Sequence, residues 1–170
     1  FGVDIELVTD ENSQPKEGQL VDRVAALHGK HAREQLHTSL GRVLGEIAEL
    51  DPAAPHVLCE STGAARPWPL IKAVCQDDRF FLRHFIVTVD ALNLHRDFAD
   101  GGVFTGEASL PAVPALHRAA EILAEQILFS SVIILTKIDT VPQSVVDAQV
   151  NNLRKIQPYA TVGLAAQGGL

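Results

Sequence analysis

The sequence contains no methionine, not even at position 1, and only two cysteines, Cys59 and Cys75. The missing methionine predicts a processed or partial form of a longer product. Two cysteines are too few for a disulfide-stabilised scaffold, which favours reduced thiols in a cytoplasmic protein. No apolar run reaches the roughly 18 residues that span a bilayer, and we recognise no signal peptide at the start.

Acidic residues outnumber basic ones by 21 to 14, which gives a net charge of -7. This balance argues against nucleic acid and against an anionic membrane as partners. A length of 170 residues predicts a single domain, residues 1–170, with enough chain for a sizeable core. The hydrophobic fraction of 46% and the charged fraction of 21% are typical of a globular protein.

Short apolar segments alternate with amphipathic ones along the chain. Residues 85–89 (FIVTV) and 132–135 (VIIL) have the composition of strands buried on both faces. This alternation predicts an α/β fold of three layers, a mostly parallel sheet with helices on both faces. The predicted strands are 1–8, 56–59, 85–89, 132–135 and 159–164; the predicted helices are 32–50, 68–74, 115–128 and 141–156; residues 93–114 are predicted to be a loop or insertion.

Ligands of such sheets bind at the carboxyl ends of the strands, so the residues after each strand are the candidates for function. They are Glu60-Ser61-Thr62-Gly63, Asp90-Ala91 and Thr136-Lys137-Ile138-Asp139.

The last of these segments has features of a guanine-recognition loop. Guanine presents two adjacent donors, N1–H and the 2-amino group, and the Asp139 carboxylate can accept both. Adenine lacks this donor pair, so Asp139 would discriminate against it. The aliphatic stem of Lys137 can cover the base while its ammonium stays hydrated, and Thr136 supports the loop. An ordinary solvated loop remains the alternative, because four such residues also occur by chance.

The stretch that begins Glu60-Ser61-Thr62-Gly63 is the strongest signal in the chain. Glu60 follows a predicted strand, where P-loop enzymes place an acid near Mg²⁺ or the attacking water. Gly63 would let a backbone N–H approach a γ-phosphate without a Cβ clash, with Ser61 and Thr62 beside it. The alternative is a glutamate that caps the following turn, with Gly63 serving only backbone geometry.

Four blocks of the sequence resemble the CobW-type P-loop GTPases. ESTGAARPWPL resembles that family's switch, FIVTVDA its next strand, and EQILFSSVIILTKID the block that ends in its Asn-Lys-x-Asp motif. Gln126 and Ile127 match this block, whereas Ser131 and Thr136 replace the usual Asp and Asn. The fourth block, QPYA, resembles the Asn-Pro-x-Ala before the last strand. The blocks keep the family's order across residues 56–164.

The resemblance implies a GTP-binding protein whose Mg²⁺-dependent hydrolysis is coupled to delivery of a metal, zinc or cobalt, to a client metalloprotein, or to cobalamin-related metal insertion. In this interpretation Glu60 and Gly63 are catalytic, and Ser61, Thr62, Thr136, Lys137 and Asp139 bind the nucleotide. The segment from Ser61 to Pro69 would be a switch that orders with GTP. Whether the protein forms a homodimer is left open.

Two motifs that the resemblance implies are absent from the sequence. The phosphate loop needs G-x-x-x-x-G-K-[ST], but Gly29-Lys30 is followed by His31, and Val24 stands in place of the first glycine. The family's loop precedes position 1, so we expect a chain truncated at its N-terminus that also ends before the usual C-terminal domain.

The family's Cys-x-Cys-Cys metal motif is the second absence. His28 and His31 lie where it is expected, and two imidazoles at this spacing suit zinc, cobalt or nickel. The simpler alternative is exposed histidines on a polar segment.

Two other functions stay open. A degenerate G-domain could serve as a non-catalytic protein-interaction or regulatory module, which the missing motifs and Thr136 favour. An unrelated doubly wound protein, such as a response-regulator-like or hydrolase domain, would leave both motifs as coincidences.

Overall fold

A computed structural model describes residues 32–50 and 56–166 of the chain, with side chains described from Leu40 onward in the first range. The chain separates into two compact units, Phe1–Phe81 and Leu82–Leu170. The predicted strand at residues 1–8 lies outside the described residues.

The described part of the first unit contains two helices, α1 (Ala32–Leu50) and α2 (Pro67–Cys75), which confirms the helices predicted at 32–50 and 68–74. Pro67 occupies the first turn of α2, where its missing N–H is not needed and its fixed φ suits the helix. Apolar side chains of both helices pack together around Leu40, Leu44 and Ala73.

The strand predicted at residues 56–59 is wrong. Residues 56–60 adopt no regular secondary structure and are exposed, with Leu58 at 90% exposure. A strand is stabilised by hydrogen bonds to a neighbouring strand, and in the described part of the chain this segment pairs with none. Its apolar composition is typical of a strand, but no described segment pairs with it to form one.

The second unit is built on a parallel sheet, whose three strands within the described residues have the order β1 (Ile86–Asp90), β2 (Val132–Thr136) and β3 (Thr161–Leu164). In the register, Asp90 of β1 is the partner of Thr136 at the end of β2, and Leu135 is the partner of Leu164. The strands predicted at 85–89, 132–135 and 159–164 are thus confirmed, with small shifts of their ends.

The helices of residues 82–166 that pack around this sheet are α3 (Ala91–Phe98), α4 (Gly102–Thr105), α5 (Pro114–Phe129) and α6 (Gln143–Ile156). The core combines strand residues with one face of each longer helix. Its fully buried side chains include Leu94 of α3, Ile127 of α5, Ile133 and Leu135 of β2, and Leu153 of α6.

The loop or insertion predicted at 93–114 is also wrong, because most of it is helical. Asp90 caps α3 by accepting a hydrogen bond from the Asn93 N–H, and a 3₁₀-helix at Ala99–Gly101 leads into α4. Gly101 has a φ of 87°, and an added Cβ would lie 3.3 Å from the Cβ of Asn152. Glycine therefore suits position 101, where the chain makes a left-handed turn between two helices.

The fold class is nevertheless confirmed as α/β with a parallel sheet and helices around it, of the P-loop NTPase type. Among the described helices, none combines the length and the apolarity needed to cross a membrane.

Candidate functional site

The loop after β2 has a defined conformation that sets the direction of its side chains. Lys137 has a φ of 56°, a left-handed conformation that is uncommon for a residue other than glycine. The Thr140 N–H and hydroxyl both donate to the Lys137 carbonyl, at 3.0 and 2.7 Å. These bonds close the 3₁₀-helix Ile138–Thr140 and hold the strained residue in place.

A pocket of about 330 Å³ lies beside this loop, at the carboxyl end of the sheet. This volume falls within the range of small-molecule sites, roughly 300–1,000 Å³. The pocket is lined by Thr136, Lys137, Asp139, Thr140, Ala165 and Ala166. The three residues predicted to recognise guanine are thus brought together at one pocket, and Ala165 and Ala166 are lining residues that the sequence patterns did not single out.

Backbone hydrogen bonds join the two walls of this pocket. The Ala165 N–H donates to the Leu135 carbonyl at 2.8 Å, and the Ile138 N–H donates to the Ala165 carbonyl at 3.3 Å. The segment after β3 therefore continues beside the loop after β2 and fixes the width of the pocket between them.

Thr136 connects the end of β2 to the end of β1. Its hydroxyl donates to the Val89 carbonyl at 3.2 Å. This side chain is half-buried, so the bond is partly shielded from water. Thr136 thus holds the start of the loop against the neighbouring strand.

Asp90 takes part in this site although we did not assign it a role from the sequence. The Lys137 ammonium donates to Asp90 Oδ2 at 2.5 Å, and the other oxygen, Oδ1, caps α3 through the Asn93 N–H at 3.1 Å. Burial raises the pKa of the Asp90 carboxyl, but the bonds from Lys137 and Asn93 and the lysine charge outweigh burial and hold that pKa below its ordinary value. The signal for it was its position directly after a buried strand.

The Asp90–Lys137 ion pair contributes more to geometry than to stability. The Lys137 side chain is 61% exposed and that of Asp90 is 21% exposed. Ion pairs that water reaches to this extent typically stabilise a fold by about 0–1 kcal/mol. Their effect here is to fix where the lysine side chain lies relative to the pocket.

The predicted switch residues lie together in the first unit, in the turn before α2. Glu60 is exposed, whereas Ser61 and Thr62 are half-buried. The Thr62 carbonyl accepts from the Ala65 N–H at 2.9 Å. The Thr62 hydroxyl oxygen is buried and, in the described part of the chain, has no hydrogen-bond partner. An added Cβ on Gly63 would meet no atom of the described residues within 4 Å.

The metal ligands predicted from the sequence, His28 and His31, lie outside the described residues. Among the side chains that the structure describes, those of residues 40–50 and 56–166, no group of three or more His, Cys, Asp or Glu is arranged to hold a metal ion.

Residues 2–163 match the family model described as CobW/HypB/UreG, nucleotide-binding domain. The chain belongs to this family. The match spans both compact units and includes the switch segment and the loop after β2. A search of solved structures found no match to the chain. Membership in the CobW/HypB/UreG family makes this chain a nucleotide-binding domain, and the pocket after β2 and β3 is the candidate for the base.

Proposed function

We propose that this protein of the CobW/HypB/UreG family binds GTP, hydrolyses it, and couples hydrolysis to metal delivery. The observation that carries the proposal is the pocket at the carboxyl end of the sheet, with Asp139 and Lys137 in its lining. An exposed carboxylate at the rim of such a pocket provides the acceptor that the N1–H and 2-amino donors of guanine require.

Hydrolysis is proposed to involve the segment of Glu60, Thr62 and Gly63. Glu60 would orient the attacking water or a water ligand of Mg²⁺, and the Gly63 N–H would donate to the γ-phosphate. The buried Thr62 hydroxyl, which finds no hydrogen-bond partner among the described residues, fits a ligand at this turn, because buried hydroxyls normally have a partner. When bound, Mg²⁺ would neutralise charge that develops on the phosphates.

The cargo of the proposed cycle is zinc or cobalt, delivered to a client metalloprotein or inserted during cobalamin-related chemistry. This part of the proposal is supported by family membership. His28 and His31 are proposed to contact the cargo, because neutral imidazoles suit both ions.

Nucleotide selectivity tests the proposal most directly. In the full-length protein, labelled GTP should bind at least about 100-fold more tightly than labelled ATP, since sites built on such hydrogen bonds discriminate strongly. Both affinities would be measured at the same Mg²⁺ concentration and ionic strength. Equal affinity for the two nucleotides would overturn the role of Asp139.

The alternative is a non-catalytic G-domain that serves as a protein-interaction or regulatory module. Thr136 favours it, because threonine lacks the amide that asparagine places at this position of the motif. Tight, selective GTP binding without multiple turnover, with or without added Zn²⁺ or Co²⁺, would support this alternative over the enzyme.

A further inference from the structure

The Asp90 carboxylate connects the proposed base pocket to the first turn of α3. One of its oxygens accepts from the Lys137 ammonium at 2.5 Å, and the other accepts from the Asn93 N–H at 3.1 Å. Both oxygens are therefore engaged, one by the loop after β2 and the other by α3. Asp90 is itself held in place, because it ends β1 opposite Thr136 and begins α3.

Lys137 is fixed at two points although its side chain is mostly exposed. Hydrogen bonds from Thr140 hold its left-handed backbone, and Asp90 holds its ammonium. Lys137 is one of the residues that line the pocket, and its four-carbon stem lies between these two points. An unanchored lysine would sample many rotamers and would lose that freedom each time a ligand packed against it.

We propose that Asp90 is a positioning residue for nucleotide binding, which anchors Lys137 so that its stem forms a preformed wall for the purine. The inference rests on the proposed binding of GTP at this pocket and assigns a role to a residue that does not touch the base. It predicts that Asp90 affects affinity for any purine that lies against the wall, whereas Asp139 determines which purine is preferred. Selectivity and affinity then depend on different carboxylates.

Asp90→Asn separates anchoring from helix capping. Asparagine is as good a helix N-cap as aspartate, so α3 keeps its first hydrogen bond, while the charge that holds Lys137 is removed. In the full-length protein, KM for GTP should rise roughly threefold to tenfold, the range that corresponds to immobilising one long side chain on binding. The kcat value and the ratio of GTP to inosine triphosphate affinity should stay unchanged, because neither the phosphate end nor the base edge is altered.

Asp97→Asn provides the matched control. Asp97 also lies on α3 and pairs with Arg96 at 2.7 Å, but it does not line the pocket. This variant should retain the wild-type KM. An equal rise in KM for both variants would show a general effect of α3 and would overturn the proposal.

A double-mutant cycle keeps the inference testable if Asp90→Asn alters the fold. Lys137→Met retains an unbranched stem and removes the ammonium, so adding Asp90→Asn to it should change GTP affinity no further. Additive losses would overturn the anchoring role. Wild-type protein that binds GTP selectively while Asp90→Asn binds it equally well would overturn the Asp90 assignment alone. Wild-type protein without preference for GTP over ATP would overturn the proposed function and this inference together.

Discussion

At the scale of single residues, Asp139 carries the proposed discrimination among bases. Asp139→Asn removes the negative acceptor that we propose for N1–H and the 2-amino group, so GTP affinity should fall by roughly tenfold to 100-fold, as expected for a hydrogen bond to a charged group. Xanthine has a carbonyl at C2 to which the asparagine amide can donate a hydrogen bond. The affinity for xanthosine triphosphate should therefore rise relative to the affinity for GTP. Competition between the two triphosphates measures this shift.

The control for this variant is Asp147→Asn. Asp147 is an exposed carboxylate on α6 that accepts from Gln143 and lies outside the pocket lining. GTP affinity should not change in this variant. A wild-type GTP affinity in Asp139→Asn would contradict the proposed contact with guanine.

Asp77 provides a prediction about pH. Hydrogen bonds from the Arg79 side chain and backbone, with the arginine charge, lower the pKa of Asp77 from 3.8 to about 2. Between pH 3.8 and about pH 2 the Asp77 carboxyl is more protonated in the unfolded state than in the folded state. The contribution of the Asp77–Arg79 pair to folding stability is therefore present above pH 3.8 and is lost as the pH falls through about 2. NMR titration of the Asp77 carboxyl carbon checks the value. Arg79→Gln should move the midpoint back toward 3.8, and an unchanged midpoint would exclude the arginine as its cause.

The residues of the candidate pocket could be predicted from sequence only in part. Thr136, Lys137 and Asp139 are contiguous and follow an apolar strand, so position and chemistry pointed to them together. Asp90 was visible as a polar residue after a strand, but its bond to Lys137 spans 47 positions and depends on which strands are neighbours. Sequence patterns of a single strand do not contain that information.

At the scale of elements, the buried strands were the most predictable part of the second unit. Continuous apolar runs such as VIIL have few alternatives when turn residues and amphipathic helices flank them. The sequence did not predict α3, because the glycines that follow it indicated a loop more strongly than the spacing of its apolar residues indicated a helix. Ala91, Leu94 and Phe98 are spaced by three and four residues and are all buried, and Gly101 and Gly106 permit left-handed turns near helix ends.

One buried amide contributes to the attachment of α6 to α3, beside the apolar core that the two helices share. Gln149 is fully buried, and its Nε2 donates to the Ala91 carbonyl at 2.8 Å and to Asp100 Oδ1 at 3.0 Å. Gln149→Ala removes both bonds and leaves a cavity, so the free energy of unfolding should fall by about 3 kcal/mol. Urea denaturation measures the change.

Gln143→Ala is the control on the same helix. Gln143 is exposed and bonds only to Asp147 among the partners that we identify, so its loss should cost less than about 0.5 kcal/mol. Similar losses for the two variants would contradict the role assigned to burial at position 149.

At the scale of the whole molecule, the order of the motifs identified the family more securely than any single motif. The switch segment and the Thr-Lys-x-Asp loop are each short, but the family match covers residues 2–163 and contains both. The segment at 56–59 shows the limit of this reasoning, because a strand depends on a neighbour that its own residues do not specify.

Glu60→Ala tests whether the switch segment acts in catalysis. A group that orients water acts in the transition state more than in the ground state. In the full-length protein, kcat should therefore fall by roughly 100-fold or more, the lower range for general acid–base groups, while GTP affinity changes little. Single-turnover hydrolysis and equilibrium binding separate the two quantities.

Glu46→Ala serves as the control for removal of a glutamate from the first unit. Glu46 forms an exposed ion pair with Arg42 on α1. In Glu46→Ala, kcat and GTP affinity should therefore stay at wild-type values. Parallel losses of binding and turnover in Glu60→Ala would assign Glu60 a structural role.

The lining of the pocket comes from two chain segments, 136–140 and 165–166, with α6 and β3 between them. A bound base would touch both ends of this continuous stretch, and by mass action it would stabilise their folded arrangement. Amide hydrogens in β2, α6 and β3 would then exchange more slowly on nucleotide loading, even where they lie far from the base. Slower amide exchange at the end of α6 farther from the pocket would then report whether a base is bound.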